Sequence, residues 1–263
     1  MRRSTAFLVG ICWLFPISTF GDVASVNPSK DNTLYQDAGG ALSNGIGTGM
    51  FTGKNNVGSI RRGVLAFDLA GVIPAGSTIN GVTLTMNASM VAGGDQTVSL
   101  HRLSADWGEG TSNAIAGGGG GGAPSTTNDA TWVHRFFNTS LWSAVGGDFV
   151  AAPSGSTAVD AAGSYSWGST PGMIADVEAW LAAPASNFGW IVRGNEGVNQ
   201  TTKRFDTREI GTIATRPLLE IDFTPPAGTP AASQWAVVVV AMSLAAVATV
   251  AIRRRRAAVT EVW

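Results

Sequence analysis

The sequence predicts an all-β domain, an antiparallel β-sandwich or jelly roll with one short helix, set between an export signal and a membrane helix. Three observations point there. Apolar and polar residues alternate with period two in several short runs. Clusters of Gly, Asn, Ser and Pro separate those runs, in a chain of 34 glycines and 11 prolines where Lys, Glu and Gln are scarce. Each end of the chain carries an apolar stretch beside arginines.

Taken in order, residues 1–21 read as a secretory signal peptide. Arg2 and Arg3 form its basic start, 6–20 its apolar core broken by Pro16, and Thr19 and Gly21 are small residues suited to cleavage before Asp22. An uncleaved N-terminal anchor is the alternative. Cys12 follows Ile11 and sits too near the start for a lipoprotein signal. Cleavage would leave no cysteine, so an exported domain must be held by its core alone. Residues 22–226 suffice for one sizeable core. They hold 11 Lys and Arg against 17 Asp and Glu, a net of −6. An acidic domain argues against nucleic acid as partner, and mildly against acidic polysaccharides unless a local basic patch overrides it.

Leu65, Phe67 and Leu69 alternate with Val64, Ala66 and Asp68. Val82, Leu84, Met86, Ala88 and Met90 form the apolar parity of a half-buried strand. Val98 and Leu100 begin another, and 92–96, with Gly93, Gly94 and Asp95, reads as a hairpin turn between the two. The glycine run 117–122 offers no side chains to a core and reads as a mobile surface loop. It is no phosphate loop, since no Lys-Ser/Thr follows. Ile174, Val177, Trp180 and Leu181 place a helix over 173–182, stopped by Pro184. Phe188, Trp190 and Val192, then Leu219, Ile221 and Phe223, mark late strands. Residues 227–235 are a linker. The apolar stretch 236–252 would span roughly 26 Å as a helix, enough for a thin bilayer. Arg253, Arg254, Arg255 and Arg256 should hold the tail 253–263 in the cytoplasm. The domain thus lies outside it, tethered by its C-terminus.

The order of several motifs resembles the DNRLRE family of exported β-sandwich domains. Ser29-Lys30-Asp31-Asn32-Thr33-Leu34-Tyr35 is similar to its opening strand, and Arg62-Gly63-Val64-Leu65-Ala66-Phe67-Asp68-Leu69 to its signature. Asp106-Trp107-Gly108-Glu109-Gly110-Thr111 resembles its W-x-E-G-T turn, and Phe205-Asp206-Thr207-Arg208-Glu209 a closing strand. The resemblance implies a sandwich more firmly than an activity. Related domains include carbohydrate-binding modules, some of which recognise alginate. Separately, 229–236 resembles an I-P-T-L-S-E-W-G sorting signal: Pro230, Ser233 and Trp235 match, and the remaining positions depart. That resemblance implies an exosortase-like processing protease as partner. A plain membrane anchor with interfacial Trp235 is the other reading.

The candidate chemistry is that of binding. His101 and His134 stand apart with no zinc spacing. His134 reads as an aromatic neighbour and His101 as outward-facing. The carboxylate pairs Asp106/Glu109 and Asp206/Glu209 suit structural ion pairs better than glycosidic cleavage. Glu209 shares core-facing parity and needs Arg61 or Arg208 as partner. Calcium is a candidate through Asp31, Asn32, Asp37 and Asp148. Trp107 and Trp167, beside turn glycines, are expected to be exposed. Arg204, Asp206 and Arg208 share outward parity, with Lys203 adjacent and Arg62 outward on another strand. The expected site is therefore Arg62, Trp107, Lys203, Arg204 and Arg208, binding an acidic polysaccharide with Trp107 or Tyr35 stacked on a ring. The expected function is a non-catalytic surface module that binds polysaccharide. A structural matrix protein and a glycan-degrading enzyme are the alternatives.

Overall fold

Alternating residues of a strand face opposite ways, so each apolar run commits one face to a core. Eleven such strands join one antiparallel sheet. They are β1 (Asp22–Val26), β2 (Lys30–Tyr35), β3 (Gly49–Lys54), β4 (Ile60–Ala66), β5 (Thr78–Val91), β6 (Gln96–Arg102), β7 (Gly155–Val159), β8 (Gly163–Trp167), β9 (Trp190–Arg193), β10 (Lys203–Asp206) and β11 (Leu218–Thr224). This is a computed structural model, and it describes residues 21–226. The expected membrane helix, sorting motif and basic tail lie outside the described residues, as does all of the expected signal peptide but Gly21. Among the described residues no helix is long and apolar enough to cross a membrane.

The strand order is β1-β11-β5-β10-β3-β4-β9-β6-β7, with β8 beside β5 and β2 beside β4. Twisted sheets of this size curl, and β3 turns the corner. Its residues Gly49 to Thr52 pair with β10, whereas Gly53 and Lys54 pair with β4. Gly53 takes φ +94°, and a Cβ there would stand 2.6 Å from the Thr201 carbonyl oxygen. Only glycine fits that bend. The two halves of the curl face each other and share one core, a sandwich-like arrangement. Leu84, Met86, Leu219 and Ile221 come from one half, and Leu65, Leu100, Trp190 and Val192 from the other.

The turn at 92–95 is not a hairpin. β5 pairs with β8, β10 and β11, and β6 pairs with β7 and β9. The chain crosses from one half to the other there. Buried Lys203 braces the crossing by donating from Nζ to the carbonyls of Ala92 at 2.7 Å and Gly94 at 2.5 Å. Turn residues alone do not distinguish a hairpin from an arch.

β4 is buried on both faces. Leu65 enters the main core, while Val64 and Ala66 join Leu34 and Ile191 in a second cluster. Leu103, Trp107, Trp132 and Trp142, from the long connection between β6 and β7, roof that cluster. Phe188 packs against it rather than following Trp190 into the main core. Gly189 lies between them at φ +76°, which breaks the alternation.

The helix α1 (Pro171–Ala182) forms close to the expected span. Thr170 caps it by accepting from the Met173 amide at 3.1 Å, and Pro171 needs no amide partner in the first turn. Met173, Val177 and Trp180 close one end of the main core. Phe67 and Leu84 are fully buried there. Replacing either with Ala should cost about 2–5 kcal/mol, read as a lower denaturation midpoint with an unchanged slope.

Candidate functional site

The expected basic cluster does not assemble as a free surface. β10 ends at Asp206, so Arg208 lies beyond the strand whose parity it was expected to share. The Arg208 Nε lies 3.1 Å from Glu109 Oε1 and 3.0 Å from Glu209 Oε1, and its Nη2 bonds Glu109 Oε2. Arg208 is thus the partner of Glu209. Arg61 instead lies 4.8 Å from the centre of the Tyr35 ring. Arg204 donates to Ser89 Oγ, Thr48 Oγ1 and the Gly118 carbonyl, and pairs with Asp206 at 3.3 Å. Asp206, expected outward, is buried and accepts from Asn87 Nδ2 at 2.8 Å. A register irregularity between Arg204 and Phe205 ends the simple alternation.

Lys203 is wholly buried, and that burial pulls its ammonium below the usual lysine range. Arg62 spends its donors on both Glu196 oxygens and the Gly146 carbonyl, and lies between the Trp132 and Phe149 rings. It lines a shallow depression with Asp148 and Phe149.

The expected aromatic platforms are interior. Trp107 is 1 % exposed, donates from Nε1 to the Phe188 carbonyl at 2.9 Å, and carries the Lys30 ammonium over its ring. Trp167 is buried and donates to the Val98 carbonyl. Glycine neighbours mark a turn in the backbone, not the exposure of the ring beside it. Tyr35 is buried as well, and its hydroxyl donates to the Gly119 carbonyl at 2.7 Å.

The run 117–122 lies partly on the surface, as expected, but three of its carbonyls are held by side chains. Bare glycine carbonyls are open acceptors, and Tyr35, Arg61 and Arg204 take those of Gly119, Gly120 and Gly118. Arg204→Ala should therefore speed amide hydrogen exchange across 117–122 while leaving β10 protected. Equal exchange in both proteins would contradict this strapping.

His101 is buried rather than outward, bonding Ser99 Oγ and the Val150 carbonyl, and desolvation lowers its pKa. His134 packs edge-on against Phe137, as expected. The carboxylates suggested for calcium are not gathered together. Asp37 and Asp148 accept nearby backbone amides, and Asn32 Oδ1 accepts from Thr33, Ser43 and Asn44. Among the described residues no group of three or more His, Cys, Asp or Glu is placed to hold a metal.

Asp31 belongs to a different constellation. Its Oδ2 accepts the Arg208 amide at 3.0 Å, and its own amide donates to Glu109 Oε1 at 2.7 Å. Asp31 Oδ1 and Glu209 Oε2 are buried without partners. Burial first, then the neighbouring Glu209, raises the Asp31 pKa well above the usual carboxylate range. Burial likewise raises that of Glu209, against the pull of Arg208. Two carboxylates, Glu109 and Glu209, thus share the Arg208 guanidinium, while Asp31 is held by the Arg208 backbone amide.

A more enclosed cavity lies elsewhere, between α1 and the connection from β4 to β5. It is a cavity of about 370 Å³, within the ~300–1,000 Å³ typical of small-ligand sites. Leu69, Ile73, Pro74 and Leu181 give it apolar walls, and Asp68 and Glu178 carry exposed carboxylates beside them. Neither acid makes an ion pair among the described residues. Trp180 and Asn187 also line it, and each holds a buried polar atom with no partner, the indole Nε1 and the amide Oδ1. A buried group left this way costs about 1–3 kcal/mol. The Asn187 Nδ2 is spent on the Phe67 carbonyl at 2.8 Å, which fixes the amide. The helical spacing of Trp180 correctly signals a buried ring, but no sequence pattern reveals that its N–H lacks an acceptor.

Compared with models of known protein families and with characterised proteins, the chain matches none.

Proposed function

We propose that this chain is a non-catalytic β-sandwich module, exported and tethered by its C-terminus, that binds polysaccharide through the cavity beside α1. The observation that carries the reading is the cavity itself, with apolar walls from Leu69, Ile73, Pro74 and Leu181 beside the exposed carboxylates of Asp68 and Glu178. Sugars present apolar C–H faces and hydroxyl edges together, and match such a lining.

Export and tethering rest on the signal peptide and apolar tail read in the sequence. The motif order resembling the DNRLRE family supports the sandwich. For the tail, processing at Pro230, Ser233 and Trp235 and simple anchoring remain the two readings. The non-catalytic reading is supported by the carboxylate pairs. Asp106 bonds Lys30, Glu109 bonds Arg208, and Asp206 bonds Arg204, so these acids are held by cations. A second reading, a structural surface protein without a small ligand, draws support from the same internal pairing of the basic cluster.

A glycan array probed with the full chain separates the two. Retention of at least one glycan class is the expected result, and no retention favours the structural protein. Release of new reducing ends from a bound glycan would instead make it an enzyme.

A further inference from the structure

We infer that Asn138 is a modification site, where a glycan is joined covalently to the side-chain amide nitrogen. This rests on the export read above and is independent of the cavity beside α1. Asn-x-Ser/Thr, with x other than Pro, is the acceptor pattern for such a transfer, and its structural context is a surface loop of an exported domain. Residues 22–226 contain the pattern three times, as Asn87-Ala88-Ser89, Asn138-Thr139-Ser140 and Asn199-Gln200-Thr201. The pattern does not choose among them. The fold does.

Asn87 lies within β5, opposite Ser164 of β8, and its Nδ2 donates to buried Asp206 at 2.8 Å. Ser89 Oγ is taken by Arg204. Asn199 is exposed, but Thr201 is 2 % exposed and its hydroxyl donates to the carbonyls of Asn195 and Val198. In both triplets the hydroxyl that a transferase reads is spent inside the protein. Asn138 instead stands at the tip of a hairpin between the short strands His134–Phe136 and Ser140–Leu141. Asn138 and Thr139 are exposed, and Asn138 takes φ +57°, a turn conformation that Asn tolerates. Among the described residues, the side-chain bond in this triplet is that of Thr139 Oγ1 to the Phe137 carbonyl. The Asn138 amide and the Ser140 hydroxyl are left uncommitted.

The co-reactant is a lipid-linked glycosyl pyrophosphate. Asn138 Nδ2 attacks its anomeric carbon and a C–N bond forms. The bond from that carbon to the pyrophosphate oxygen breaks, and the pyrophosphate leaves with the electron pair. One amide proton passes to a base of the transferase.

The test is peptide mass spectrometry on the full chain purified from its native host. The peptide holding Asn138 should gain whole hexose or N-acetylhexosamine masses, while those holding Asn87 and Asn199 stay bare. Ser140→Ala keeps Asn138 but removes the hydroxyl, and should abolish the added mass. Ser140→Thr should retain it. A bare Asn138 on protein that begins at or near Asp22 overturns the inference alone. A bare Asn138 on protein that still begins at Met1 overturns the export reading with it. Sugar found on Asn199 in place of Asn138, or sugar on Asn138 that persists in Ser140→Ala, overturns the inference as well.

Discussion

Trp190→Ala should cost about 3–5 kcal/mol, the upper range for emptying a core site, and so remove much of a typical margin of about 5–15 kcal/mol. Trp190 is fully buried and packs edge-on against Phe67 at 6.2 Å and Trp180 at 4.6 Å between ring centres. Its strand β9 pairs on one side with Leu65 and on the other with Arg102, so it ties β4 to β6. Its Nε1 donates to Asp176 Oδ2 at 2.7 Å. Asp176 also accepts from Ser154 and pairs with Arg102, so the loss falls mainly on packing. Trp190→Phe separates the terms: it keeps an aromatic ring and drops one bond to a charged group, for about 1.5–3 kcal/mol. Chemical denaturation of both variants measures the two. Wild-type stability in Trp190→Ala would contradict the packing described.

Asp31→Asn should make the domain more stable than wild type at alkaline pH. The sign follows from the direction of the shift. A carboxyl whose pKa is higher in the folded state binds its proton more tightly when folded. Its stabilisation is full below the unfolded pKa and is lost as pH rises through the folded one. Asp31 is such a group, held up first by burial and next by Glu209. Asparagine imitates the neutral acid, so the variant should match wild type at acid pH and exceed it as pH rises. The gain at high pH is about 1–3 kcal/mol, the cost of burying an unsatisfied group. Thermal melts of both proteins from about pH 4 to about pH 9 bracket the normal carboxylate range and its upward displacement. Parallel curves would mean that Asp31 titrates alike in both states.

Much of the fold was legible because one-sided burial leaves a period-two trace. Leu84, Met86 and Ala88, and Leu219, Ile221 and Phe223, all point into the main core as their spacing requires. The trace fails where both faces are covered, as at Val64 and Leu65, since the covering tryptophans come from a distant connection. It fails at 92–95 because local turn chemistry does not encode which half of the curl receives the next strand. The basic cluster misled for a similar reason. Parity placed Arg204 and Arg208 outward, but Glu109, which binds Arg208, lies 99 positions away in sequence. Pairing over that separation leaves no local signature. Trp180 was read correctly as core, yet the cavity it helps to line, between α1 and a distant connection, is a property of packing in three dimensions.

The most direct test of the account follows the indole N–H resonances of the nine tryptophans by NMR while neutral gluco- and manno-oligosaccharides are added to the full-length protein. Trp107, Trp142, Trp167 and Trp190 already donate to protein oxygens and should barely move. The Trp180 signal, assigned by its loss in Trp180→Phe, should shift and saturate because its residue lines the cavity. A Trp180 signal that stays fixed while the sugar is demonstrably bound would place the ligand elsewhere and contradict the cavity as the site.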